Sequence, residues 1–158
     1  MPSDIKVVVQ FIAERKLTSS GYAERVAQCN AAEEIVGPLR VTNLSSLANI
    51  TDKTIFRRAR HVVSENQRVR DFAAMLRASD LKSAGKLMIE SHNSLDHDFE
   101  TSTPQMNAAV AAALSQPGVF GARMTGGGFG GCIVILADTT ANLDSWQVRA
   151  VNAASQID

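Results

Sequence analysis

Apolar and polar positions along this chain change period twice, and the changes mark out its elements. Residues Ile5 to Ile12 form an apolar run rich in β-branched side chains, bounded by Pro2-Ser3-Asp4 and by Glu14-Arg15-Lys16, which is the pattern of a buried strand. From Gly21 to Val36 the spacing becomes helical. Tyr22, Val26, Cys29 and Val36 approximate an apolar face, and Glu24, Arg25, Gln28 and Glu33 a polar one. Ser19 or Ser20 is placed to cap this helix, and Gly37-Pro38 stops it. Asn43 to Ala48 reads as a short turn. The next helix, Thr54 to Arg77, puts Ile55, Ala59, Val62, Val63, Val69, Phe72, Ala73 and Leu76 on one buried stripe. Asp80 can cap a following helix through about His97, giving a helical hairpin. Pro104, at a position where proline is tolerated, opens an alanine-rich helix that ends at Leu114, before Gln116-Pro117-Gly118.

Beyond that turn the period is strand-like again. Val119 to Met124 and Cys132 to Leu136 flank a segment, Gly126 to Gly131, in which only Phe129 is not glycine. The order of strand, helices, strand, strand and a final segment open to a helix, without internal repeats, predicts one α+β domain over residues 1–158.

Composition narrows the partners. At 158 residues, 45% hydrophobic and 20% charged, the chain has the make-up of a globular domain with a substantial core. Sixteen basic residues balance sixteen acidic ones, so neither nucleic acid nor a membrane is expected as a partner. Arg57, Arg58, Arg60, Arg68 and Arg70 form a basic cluster, but Glu65 and Asp71 are interleaved, and at helical spacing this reads as a solvated face. Cys29 and Cys132 lie in apolar segments, which suits reduced, packed thiols and a cytoplasmic setting. The N-terminal apolar run is too short for a signal peptide, and nothing approaches the roughly 18 apolar residues of a membrane span.

The glycine segment is the strongest candidate for chemistry. Gly126, Gly128 and Gly131 satisfy G-x-G-x-x-G, but a dinucleotide site needs a helix directly after the loop, and here a strand follows. No Walker-type G-x-x-x-x-G-K-[ST] occurs. The glycines permit positive φ and close approach of main chain to a ligand or another loop, and a mobile hairpin tip stands as the alternative. His92, Asp96, His97 and Asp98 suggest a metal site at first sight. His92 and Asp96 share a helix face, but His97 points away, so no closed zinc shell results. Ser94 and Ser102 with His92 lack the strand-turn-helix context of a nucleophile.

The longer string Arg123-Met124-Thr125-Gly126-Gly127-Gly128-Phe129-Gly130-Gly131-Cys132 resembles the galactokinase form of the third motif of the GHMP small-molecule kinases. Three further segments resemble galactokinases in the same order: LTSSGYAERVAQCNAA at 17–32, RRARHVVSENQRV at 57–69 and KLMIESHNSLDHDFETSTPQMN at 86–107. The resemblance implies the ferredoxin-like fold of GHMP kinase C-terminal domains, a small antiparallel sheet covered on one side by helices. It also implies transfer of the ATP γ-phosphoryl group to the C1 hydroxyl of galactose, with ATP and magnesium as cofactors by resemblance only. Gly126, Gly127, Gly128, Phe129, Gly130 and Gly131 would then wall the cleft beside the ATP loop, and Tyr22 would border the sugar.

No catalytic residue and no magnesium ligand is identified here, because the family carries those groups before the position matched by Met1. The chain is expected to lack the N-terminal catalytic and ATP-loop domain, and its last strand is expected to be missing. Gln10-Phe11 stands where galactokinases carry Asn-Ser, and Gln105 and Asn107 replace acids common after Pro104. Three functions stay open: the C-terminal part of a galactokinase, active with galactose and ATP once an N-terminal half completes it; a non-catalytic sugar- or nucleotide-binding module; or an oligomeric scaffold whose exposed sheet edge pairs with a second copy.

Overall fold

The structure, a computed structural model, describes residues 5–14 and 21–143. Ser19, Ser20 and the expected closing helix lie outside the described residues. Between them run β1 (Ile5–Ala13), α1 (Tyr22–Val36), a 3₁₀ turn (Leu44–Asn49), α2 (Lys53–Arg77), α3 (Leu81–His97), α4 (Pro104–Leu114), β2 (Val119–Thr125) and β3 (Gly131–Asp138). The strands form an antiparallel sheet in the order β1-β3-β2, so the architecture is α+β as anticipated.

Most helix starts follow their local chemistry. The carboxylate of Asp52 accepts from the N–H groups of Thr54 and Ile55, that of Asp80 from Ser83, and the Thr103 hydroxyl from Met106 ahead of Pro104. The exception is α1, whose N-cap position is Gly21, with no side-chain cap.

Register decides which residues share a face, because directly opposed residues in antiparallel strands project together. Ile135 lies opposite Val8 on one side and Ala122 on the other, and Ile133 lies opposite Met124. With Ile12 they pack on Met106, Ala109, Val110 and Ala113 of α4, the largest core. On the other face Leu136 and Val134 meet Ala84 and Met88 of α3 and Phe72, Met75 and Leu76 of α2. Helices therefore lie on both sides of the sheet, not on one as the resemblance implied. The second cover is partial: Val7, Val9 and Phe11 of β1 remain about half exposed or more.

The approach of α3 to β2 is a glycine contact. A Cβ on Gly85 would sit 2.0 Å from the Phe120 carbonyl oxygen, and one on Gly121 would sit 2.3 Å from the Gly85 carbonyl oxygen, so only glycine fits on either side. A third cluster joins α1, α2 and the 3₁₀ turn through Ala32, Leu39, Leu47, Ile50, Ala59 and Val63.

The face of α1 differs from the pattern. Tyr22 and Val26 are exposed, whereas Arg25 and Ala32 are buried, with Cys29 and Val36 partly covered. Alanine-rich, weakly amphipathic helices have no strong apolar stripe to fix their rotation, and Arg25 finds partners that no apolar pattern reveals. The basic cluster is corrected for the same reason. Arg58 is only 2% exposed and Arg68 is half-buried, so these two leave the solvated face, while Arg60 and Arg70 stay exposed.

Candidate functional site

The hairpin between β2 and β3 runs through an unusual series of left-handed residues. Gly126, Gly128, Phe129, Gly130 and Gly131 have φ of 89°, 84°, 60°, 117° and 98°. The left-handed region costs a non-glycine residue about 1–2 kcal/mol, so Phe129 needs compensation. Its backbone N–H donates to the Thr101 carbonyl at 2.7 Å, and its ring packs on Gly21, where a Cβ would lie 3.2 Å from the Phe129 Cζ.

The glycines divide into two groups. A Cβ at Gly128 would sit 2.5 Å from Thr101 Cβ, and one at Gly130 would sit 2.7 Å from the Glu14 carbonyl oxygen, whereas Gly126 has nothing within 4 Å of its Cβ position. The loop is therefore pinned on its β3 side and open on its β2 side. It is not a free hairpin tip. A strand follows, as the sequence required for rejecting a dinucleotide fingerprint.

What pins the loop is the connection between α3 and α4. Its carbonyls accept from arginines of two other helices: Arg25 Nε donates to Phe99 O at 2.6 Å and an Arg25 terminal nitrogen to Glu100 O at 3.2 Å. Arg58 donates to Asp98 O, to Glu100 Oε2 at 2.6 Å and to Gln28 Oε1 at 2.8 Å. Arg57 pairs with the other Glu100 oxygen at 2.8 Å, and Arg60 with Asp98. The Arg58 hydrogen bond, with the charges of Arg58, Arg57 and Arg25, holds the Glu100 carboxyl below its ordinary range against a smaller effect of burial. Glu100 itself has φ 53°, the turn that delivers Thr101 to the loop.

Tyr22 is the first residue of α1, immediately after the Gly21 that Phe129 covers, and its side chain is solvent-facing. The structure thus brings the start of α1 to the glycine loop through the Gly21–Phe129 contact.

The polar residues near the end of α3 are used separately. Buried His92 accepts the Met124 N–H on Nδ1 at 3.3 Å, which leaves its proton on Nε2, toward Asn107. Asn107 Oδ1 also accepts from the Ser102 hydroxyl at 2.6 Å. His97 is exposed beside Asp96, and Asp98 binds Arg60. Ser94 pairs with His61, not His92: its hydroxyl donates to Asp98 and lies 2.9 Å from His61 Nδ1. The His61 ring stacks on Phe99 with centroids 4.5 Å apart, and burial pushes its pKa down to about 4.

A second cluster went unseen in the sequence. Arg123, within the motif, donates to Glu65 Oε1 and to the Ser91 hydroxyl, each at 2.8 Å, while Ser91 donates to Glu65 and Arg68 pairs with the other Glu65 oxygen. Burial raises the Glu65 pKa, but the bonds from Ser91 and Arg68 and the Arg123 charge outweigh it and hold the carboxyl below its usual range. This cluster closes one end of a cleft of about 500 Å³ whose walls include Val69, Phe72, Leu76, Met88 and Val7. The only early signal was the interleaving of Glu65 among arginines.

Among the described residues no three His, Cys, Asp or Glu side chains converge as a metal site, and no helix is long and apolar enough to cross a membrane. Cys29 and Cys132 are free thiols, and burial raises the pKa of Cys29.

The family described as GHMP kinases C terminal matches residues 72–151. The galactokinase of Bos taurus is 48% identical over 130 residues, covering 79% of this chain and 33% of its own length, and that of Homo sapiens is 45% identical over the same extent. The crystal structure of Lactococcus lactis galactokinase complexed with galactose superposes with a TM-score of 0.84 at 32% identity, over 98% of this chain and 42% of that one. The chain thus spans about a third of the length of the curated relatives it matches.

Two predictions follow from the pinned loop and the buried imidazole. Gly126→Ala carries only the left-handed cost of about 1–2 kcal/mol, whereas Gly128→Ala adds overpacking against Thr101 of about 1–3 kcal/mol. Urea unfolding should rank Gly128→Ala as clearly the less stable, and equal losses would refute the packing assignment. His61 binds its proton more weakly folded than unfolded, so between pH 6.5 and about 4 the unfolded state holds more protons and stability falls as pH falls. The wild type should lose about 2 kcal/mol from His61 between pH 7 and pH 5. His61→Gln should remove most of that slope; an unchanged slope would contradict the burial of a neutral ring.

Proposed function

The chain belongs to the GHMP kinase C-terminal family, and from that footing we propose that it forms one wall of a galactokinase site, where galactose is phosphorylated at its C1 hydroxyl by ATP. The observation that carries this reading is the division of the glycine loop. Gly128 to Gly130 are packed against Thr101 and Glu14, so the loop's position is set before any ligand arrives, while Gly126 and Gly127 present main chain without side-chain bulk. Pre-set backbone of this kind lets substrate or the phosphate-bearing loop approach closely at no reorganisation cost.

Tyr22 takes the sugar side. Its hydroxyl offers one donor and an acceptor to a sugar hydroxyl, and its ring, beside the Gly21–Phe129 contact, offers an apolar edge. In this reading Tyr22 orients galactose and does not move its proton.

Bound ATP supplies the phosphoryl group, and magnesium would neutralise its charge. Among the described residues no magnesium ligand is assigned, since no three His, Cys, Asp or Glu side chains converge there. No step is therefore assigned to it on this chain. The base, the phosphate-binding loop and the metal ligands belong, on this proposal, to the part of galactokinases outside the matched region.

A chimera tests the reading. Placing this chain in Lactococcus lactis galactokinase, in exchange for the region it superposes on, should give an enzyme that forms ADP in a galactose-dependent manner. In that chimera Tyr22→Phe, losing one hydrogen bond of about 0.5–1.5 kcal/mol, should raise KM for galactose roughly two- to tenfold with a smaller effect on kcat. A folded chimera without galactose-dependent turnover would sink the proposal.

A further inference from the structure

We infer that His92 is a positioning residue for the glycine loop. With Nδ1 as a hydrogen-bond acceptor it holds Met124, and through Met124 it fixes the open β2 end of the loop. The consequence for phosphoryl transfer rests on the galactokinase reading above, whereas the hold on the loop rests on the fold alone.

The first observation is how the stem of the loop is supported. The β3 side of the loop packs on Thr101 and Glu14, but Gly126 has nothing within 4 Å of its Cβ position, so contacts of the glycines do not set the β2 side. Just ahead of Gly126, fully buried Met124 stands opposite Ile133. In an antiparallel pair, alternate residues turn both backbone groups away from the partner strand. Met124 is such a residue: its N–H donates to His92 Nδ1 at 3.3 Å, and its carbonyl accepts from Arg123 Nε at 2.9 Å. Buried main-chain groups need partners, and here both partners are side chains.

The second observation is what stands behind those side chains. Arg123 is held by Glu65 of α2 and Ser91 of α3, each at 2.8 Å. The adjacent residues Ser91 and His92 therefore both bear on Met124, one through Arg123 and one directly. On its other side His92 faces Asn107 of α4, whose Oδ1 accepts the Ser102 hydroxyl at 2.6 Å. Ser102 follows Thr101, the residue that packs on Gly128. One chain of polar groups thus joins both ends of the loop, and His92 is its link from α3 to β2.

The third observation is the charge state the contact requires, because only an unprotonated Nδ1 accepts a hydrogen bond. The charged groups facing the ring are Asp96 and His97 on α3 and Arg123 on β2, while α4 presents the uncharged Asn107. Burial, helped by Arg123 and His97, outweighs Asp96 and the Asn107 bond and holds the imidazole pKa below its ordinary value. A second proton would set an Nδ1–H against the Met124 N–H, two donors with no acceptor between them. A carboxylate in place of the Asn107 amide would favour that proton, so this position offers control over the contact.

The test is heteronuclear NMR of the isotopically labelled chain, reading the His92 ring nitrogens and the Met124, Gly126 and Gly127 amides as pH is lowered from neutrality. In the wild type at neutral pH, Nδ1 should carry no proton and the Met124 amide should be protected from exchange. Asn107→Asp should move the His92 titration to higher pH, and Met124 protection and the Gly126 and Gly127 resonances should follow it. His92→Asn keeps an acceptor near the Nδ1 position but cannot titrate; added to Asn107→Asp, it should restore Met124 protection and abolish the pH response of the glycines. In the galactokinase chimera, Asn107→Asp should make kcat fall roughly two- to tenfold across the same titration, the effect of one lost hydrogen bond, with KM for galactose little changed. Loop resonances that ignore the His92 titration, a His92 titration unmoved by Asn107→Asp, a response that survives His92→Asn, or an active chimera whose kcat ignores the titration would overturn the inference. An inactive chimera whose loop amides still follow His92 counts against the galactokinase reading and leaves the hold on the loop standing.

Discussion

Two buried guanidinium groups hold the irregular chain between α3 and α4, and the rest of the candidate site depends on that contact. Charge taken out of water costs several kcal/mol unless it is hydrogen-bonded on all sides, and buried carbonyls outside regular structure need donors just as badly. Arg25 and Arg58 meet the carbonyls of Asp98, Phe99 and Glu100, so each requirement satisfies the other. The Glu100 carboxylate, shared by Arg57 and Arg58, balances the charge. Once that connection is fixed, Thr101 has one position, and through it Gly128 and Phe129 have theirs.

The molecule is also asymmetric about its sheet. One face is sealed by α4 against Ile133, Ile135 and Met124, while the other is covered only where the Gly85–Gly121 contact lets α3 come close. The uncovered part, the open end of the glycine loop and Tyr22 are the surfaces this packing leaves to solvent.

Much of the fold was legible because it rests on local signals: Asp80 and Pro104 at helix starts, Gln116-Pro117-Gly118 as a turn, and two strand-like runs around the glycines. The rotation of α1 was not legible. It is set by Arg25 reaching carbonyls 74 and 75 residues away, and no periodicity encodes a side chain that pairs with main chain at that distance. Arg58 was misread as solvated for the same reason, its partners lying 30 to 42 residues along the chain. Of the site, the glycine string and Tyr22 could be named from sequence, but not the division of the loop into pinned and open parts. That division arises from Thr101 and Glu14, residues with no motif of their own.

The most direct test of this account is amide hydrogen exchange at Phe129, whose N–H reaches Thr101 only if the arginines hold the connection. In the wild type this amide should be protected while that of Gly126 exchanges freely. In Arg58→Met it should lose protection, with the β2–β3 ladder amides still protected. Equal exchange at Phe129 and Gly126 in the wild type, or full protection of Phe129 in Arg58→Met, would contradict the claim that the buried arginines set the glycine loop.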